Sequence, residues 1–112
     1  MTEPPSSPAR MRNRPPPHPG EAMREVLETL GLAISEAARR MSMGPSELGN
    51  VLDGVLPVDA DLALRFERLT GAEPTLYLHM QDELELWNAR RRLAMTLNGI
   101  KPAAPLPIKR GQ

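Results

Sequence analysis

The chain has 112 residues, enough for one small domain, and its 14 Lys and Arg offset its 14 Asp and Glu to a formal net charge of +0. It has no cysteine, which excludes disulfides, thiolate catalysis and Cys-based zinc sites. No apolar run approaches the roughly 18 residues of a membrane span, and Arg10, Arg12 and Arg14 lead into no apolar stretch of a secretory signal. A cytoplasmic protein is expected.

Proline marks the organisation. Seven of 13 prolines fall in residues 4–19 and three in 102–107, whereas Phe66, Tyr77 and Trp87 lie between those blocks. Residues 1–17 are therefore read as a disordered Pro-rich arm, 18–98 as the folded domain and 99–112 as a flexible tail. A core of this size buries only about 60% of its unfolded surface, which favours a homodimer.

Five helices are predicted along the domain. The first opens at His18-Pro19-Gly20-Glu21, with Pro where an N–H has no partner, and with Glu21 placed to reach back to a free N–H. Met23, Val26, Leu27 and Leu30 form its buried stripe, and Gly31 ends it. The second covers 34–42 and buries Ile34, Ala37, Ala38 and Met41. The third covers 45–53, buries Leu48, Val51 and Leu52, and is closed by Gly54. Asp59 caps the fourth, which buries Leu62, Ala63, Phe66 and Leu69 before Gly71. The fifth runs from Pro74 to about Leu97 with Tyr77, Met80, Leu84, Trp87 and Ala94 on its apolar face. No window alternates with period two, so the fold class is all-α.

Helices two and three carry the functional signal. Two short helices joined by a tight turn with glycine, here Met43-Gly44, form the helix-turn-helix pattern of DNA-binding proteins, spanning 34–53. Ala38 is small enough for the first helix to lie close under the second. With one face of the second helix buried, Ser46, Glu47, Gly49, Asn50 and Asp53 remain outward for a major groove.

The ordered segments resemble the HigA-type antitoxins of the Xre helix-turn-helix family, whose domain is lambda-repressor-like. The resemblance rests on His18-Pro19-Gly20-Glu21, Gly31-Leu32, Ser35-Glu36-Ala37-Ala38-Arg39, Pro45-Ser46, Leu52-Asp53-Gly54 and Asp61-Leu62-Ala63-Leu64-Arg65. Gly71, Pro74, Leu78, Gln81 and Leu86-Trp87 follow, and this late segment separates the subfamily from generic Xre domains. It implies an antitoxin that neutralises a HigB-like ribonuclease toxin and, as a homodimer, represses its own operon at an operator. Ala33, Ile34, Gly44, Val55 and Leu56 depart from the family pattern, where polar or basic residues are usual.

Arg39, Arg40, Gly44, Pro45, Ser46, Glu47, Gly49 and Asn50 are the candidate DNA-contacting residues. Asn50 suits adenine, Glu47 suits cytosine N4 or the free N–H groups of its own helix, and Ser46 with the helix N-terminus suits phosphate. Residues 33–57 carry a net −1, so basic help is sought from Arg10, Arg12 and Arg14 in the arm, or from Arg90-Arg91-Arg92. The competing reading is a helix-turn-helix scaffold whose acidic face has lost DNA and which acts in toxin neutralisation or dimerisation. Val55-Leu56 is either buried under helix four or part of a partner surface. His79, Asp82 and Glu83 have ligand spacing, but lack a fourth ligand and read as a half-exposed polar stripe. His18 reads as a helix cap. No phosphate-cradling loop or nucleophile–base set is present, so no catalytic residue, metal or cofactor is expected.

Overall fold

The computed structural model describes residues 14–104. Among them are six helices: α1 (Pro19–Leu30), α2 (Ile34–Arg40), α3 (Pro45–Leu52), α4 (Ala60–Thr70), α5 (Pro74–Arg92) and α6 (Ala94–Asn98). The five anticipated helices form. The fifth is shorter than expected because its backbone breaks at Leu93, and the remainder becomes the separate short α6. The second stops at Arg40 rather than 42, since Ser42 leaves the right-handed region with φ 58°.

α1 starts as its sequence dictates, with Pro19 in the first turn and the His18 ring as the expected cap, whereas the Glu21 carboxylate accepts no backbone N–H among the described residues. His18 Nδ1 accepts the Gly20 N–H at 2.8 Å. That assigns the proton to Nε2, which donates to the Leu56 carbonyl at 3.0 Å. One ring thus ties the start of α1 to the loop after α3. Asp59 caps α4 as expected, accepting the Leu62 N–H at 3.0 Å.

The core joins α1 through α5. Met23 and Leu27 of α1, Ala37 and Ala38 of α2, Leu48, Val51 and Leu52 of α3, Leu62, Ala63 and Phe66 of α4, and Tyr77 of α5 are all buried. Phe66 and Tyr77 meet edge to face, ring centroids 5.5 Å apart. Leu30 departs from the predicted stripe: it is 52% exposed, at the end of α1 where its turn clears the neighbouring helices. Ala94 is also exposed, because it lies beyond the break at Leu93.

Gln81 is buried and polar. Its Oε1 accepts the Val58 N–H at 2.9 Å, and its Nε2 donates to Glu85 at 2.9 Å. A single α5 side chain therefore satisfies a buried backbone donor in the loop before α4.

The expected arm over 1–17 falls mostly outside the described residues. Its end does not: Pro16 is buried, in a groove with Leu86, Trp87 and Arg91 of α5. Trp87 is half-buried, with the Arg91 guanidinium 5.8 Å from its ring centre.

Candidate DNA-reading surface

The crossing of α2 and α3 sets the site. Ala37 and Ala38 are fully buried, which gives α2 a flat side against α3. The chain reverses through Met41, Ser42, Met43 and Gly44, and the Met43 N–H returns to the Ala38 carbonyl at 3.0 Å. The turn glycine is not the residue that bends left-handed. Ser42 is, while Gly44 has φ −72° and serves as the N-cap residue of α3. Arg65 of α4 holds this turn, its Nη1 donating to the carbonyls of Met41 at 2.7 Å and Ser42 at 2.8 Å. A guanidinium just past the C-terminal end of α2 also suits the negative end of that helix.

α3 turns Leu48, Val51 and Leu52 inward. Its helical period then leaves Ser46, Asn50 and Asp53 on one outward ridge, flanked by Glu47 and Gly49. Ser46, Glu47, Asn50 and Asp53 are exposed and Gly49 is half-buried. Gly44 and Pro45, both exposed, sit at the start of the same helix. No side chain of the N-cap residue satisfies the first N–H groups of α3, because that residue is glycine. Glu47 stands in the first turn, exposed, and among the described residues it has no hydrogen-bond or ion-pair partner. The capping role expected for it is not made.

The charges beside this ridge are largely paired. Arg39 Nε lies 3.2 Å from Glu36, and its Nη2 also reaches that carboxylate. The hydrogen bond from Arg39 holds the Glu36 carboxyl below the ordinary carboxylate range, and the same bond raises Arg39. Arg40 is exposed and lines a groove with Arg65 and Arg68 of α4. From α1, Arg24 Nη2 reaches Asp53 Oδ1 at 2.6 Å. Arg14 is exposed, and Arg10 and Arg12 lie outside the described residues. Arg90, Arg91 and Arg92 are exposed at the end of α5.

Val55 and Leu56 are not covered by α4: they are 69% and 37% exposed. Their N–H groups both return to the Asn50 carbonyl, at 2.8 and 3.1 Å, so the loop folds back beneath the ridge. His79 Nε2 stands 3.5 Å from a Glu83 oxygen on the exposed face of α5. The described residues contain no group of three His, Asp or Glu able to hold a metal ion.

No family model matches the chain. Individual proteins do. Virulence-associated protein I of Dichelobacter nodosus is 33% identical over 82 residues, covering 72% of this chain and 76% of that protein. Antitoxin HigA-1 of Vibrio cholerae is 27% identical over 94 residues, covering 83% and 89%. The chain belongs to the HigA-type antitoxin family of Xre helix-turn-helix proteins. The antitoxin HigA of Pseudomonas aeruginosa, solved with the higBA promoter, has the same fold, with a TM-score of 0.73 over 80% of this chain and 99% of that one at 23% identity.

Against the family pattern, Ala33, Ile34 and Gly44 depart where α2 and α3 begin, and Val55 and Leu56 in the loop after α3. Ala33 and Gly44 give neither helix a side-chain cap. Two residues with clear structural work at this surface were missed in the sequence. Arg24 meets Asp53 across 29 residues and Arg65 meets Met41 across 24, and no local spacing announces either pairing.

Proposed function

We propose that this protein is a DNA-binding antitoxin that represses its own operon and neutralises a HigB-like ribonuclease toxin. The observation that carries the reading is the outward ridge of Ser46 and Asn50 on an α3 fixed from behind by Leu48, Val51 and Leu52. Family membership supports the antitoxin role. α3 enters the major groove of double-stranded operator DNA. Asn50 reads a base edge, Glu47 and Gly49 border it, and Gly44, Pro45 and Ser46 bring backbone N–H groups and a hydroxyl to phosphate. Arg40, with Arg39 beside it, follows the DNA backbone. No catalytic residue is assigned.

A homodimer reads two half-sites about 34 Å apart. The apolar side chains left open from the second half of α5 through α6 to Ile100 support association: Met95 is 86% exposed, and Leu86, Leu93, Leu97 and Ile100 are open as well. No helix among the described residues is long and apolar enough to cross a membrane, and the protein acts in the cytoplasm, where its DNA is.

The test is binding to DNA upstream of its own gene across a salt series, beside an unrelated duplex. Affinity for the upstream DNA exceeds that for the unrelated duplex and falls with salt. No binding at low salt removes the repressor role. The exposed Val55 and Leu56, and a Glu47 without a partner among the described residues, favour a second reading, an interaction module without DNA. Co-purification with a small toxin, with no shift of any duplex, selects it.

A further inference from the structure

Asp53, the residue that closes α3 and keeps its right-handed backbone, stands on the same ridge as Asn50, about one turn on. Helical rise puts the two about 4.5 Å apart along the axis. A free carboxylate there would face the phosphates on either side of any groove that Asn50 enters. It is not free, because Arg24 of α1 donates to Asp53 Oδ1 at 2.6 Å. The two side chains are 37% and 63% exposed, so the pair sits at the surface and adds little to folding stability. Its position is what matters. Among the described residues of 33–57, Glu36 is held by Arg39, and Asp53 is held only from outside that window.

We infer that Arg24 is a positioning residue for DNA binding: it acts through Asp53, cancelling the carboxylate that would otherwise repel the duplex from the ridge of α3. This rests on the reading of α3 as the DNA-reading helix. Arg24 need not touch DNA itself. The duplex meets a ridge on which Asn50 is flanked by a neutralised acid. In that arrangement the net −1 of residues 33–57 is compatible with approach to phosphate.

The experiment is a double-mutant cycle on the full chain, with wild type, R24Q, D53N and R24Q/D53N measured on the upstream DNA from about 50 to 200 mM salt. R24Q binds roughly five- to tenfold more weakly than wild type at low salt. D53N binds at least as tightly as wild type, and R24Q/D53N recovers to within about twofold of wild type. Melting temperatures of all four stay close, which separates the effect from folding. Equal weakening of R24Q and R24Q/D53N, with a log–log salt slope shallower by about 0.9, makes Arg24 a direct phosphate contact and overturns the inference. An R24Q protein that binds like wild type overturns it too. A wild type that binds no duplex at low salt brings down the reading of α3 itself, and this inference with it.

Discussion

Gly20 of α1 faces the Val51 carbonyl of α3 so closely that a Cβ at residue 20 would stand 2.2 Å from that oxygen. The Leu52 Cα and the His18 Nδ1 would each be 3.0 Å away, but the nearest obstacle is backbone, which cannot swing aside as a flexible side chain can. The His18 ring locks the same junction by bonding both Gly20 and Leu56. The His-Pro-Gly segment is thus a docking device that seats α1 against the end of α3.

Gly20→Ala forces that junction apart. The expected loss is about 1–3 kcal/mol, the usual range for overpacking, despite the gain in helix propensity from alanine. Thermal unfolding of the variant reads it directly, as a fall of several degrees in Tm. A melting temperature equal to wild type means that α1 and α3 do not approach as described.

Gln81→Met keeps the bulk of the side chain and removes its acceptor. The Val58 N–H, now bonded to Gln81 Oε1 at 2.9 Å, is left unpaired in a buried place. The cost is about 1–3 kcal/mol. Denaturant unfolding gives the magnitude, and amide exchange gives the location, since Val58 should lose more protection than its neighbours.

Much of the fold was legible because its elements are punctuated by side chains that act locally. His18-Pro19, Pro45, Asp59 and Pro74 mark helix starts that the structure reproduces. The inward residues of α3 followed from period alone, and with them the outward ridge. What did not show was set by distant partners or by free choice of rotamer. The turn between α2 and α3 bends at Ser42, not at a glycine, because Arg65 holds the carbonyls of Met41 and Ser42 from α4. Glu47 stands in the first turn of α3 with a capping geometry open to it in sequence, yet it stays in solvent. The break at Leu93 has no proline or glycine to announce it.

Ser42→Gly relieves the left-handed backbone at φ 58°. Serine in that region costs roughly 1 kcal/mol relative to glycine, and the greater freedom of glycine in the unfolded chain offsets part of the gain. The expected outcome is a small stabilisation, a few tenths of a kcal/mol, seen as a higher denaturant midpoint with an unchanged slope. A lower midpoint would show that the hydroxyl or the Arg65 clamp depends on serine.

Burial raises the Tyr77 phenol above its ordinary value of 10.0. The folded state then keeps a proton that the unfolded state releases first. The associated stability is complete below about pH 10 and is lost as pH climbs through the folded value. Tyr77 is the chain's one tyrosine, so phenolate absorbance follows it alone and should titrate above pH 10 while the protein is folded. Tyr77→Phe should flatten this alkaline fall in stability, and an unchanged fall would assign it to other groups.

Asn50→Ala separates the two functional readings. Asn50 is exposed, and the contact it makes within the fold, accepting the Val55 and Leu56 N–H groups, uses its backbone carbonyl. Truncating the side chain leaves that carbonyl in place, so the melting temperature should hold or rise slightly with alanine in a helix. If the amide reads a base, affinity for the upstream DNA falls by about 1–3 kcal/mol while binding to an unrelated duplex barely changes. Toxin binding, measured on the same preparation, should persist. Loss of both activities would point to a ridge shared by DNA and toxin, and loss of neither would move the DNA contact off α3.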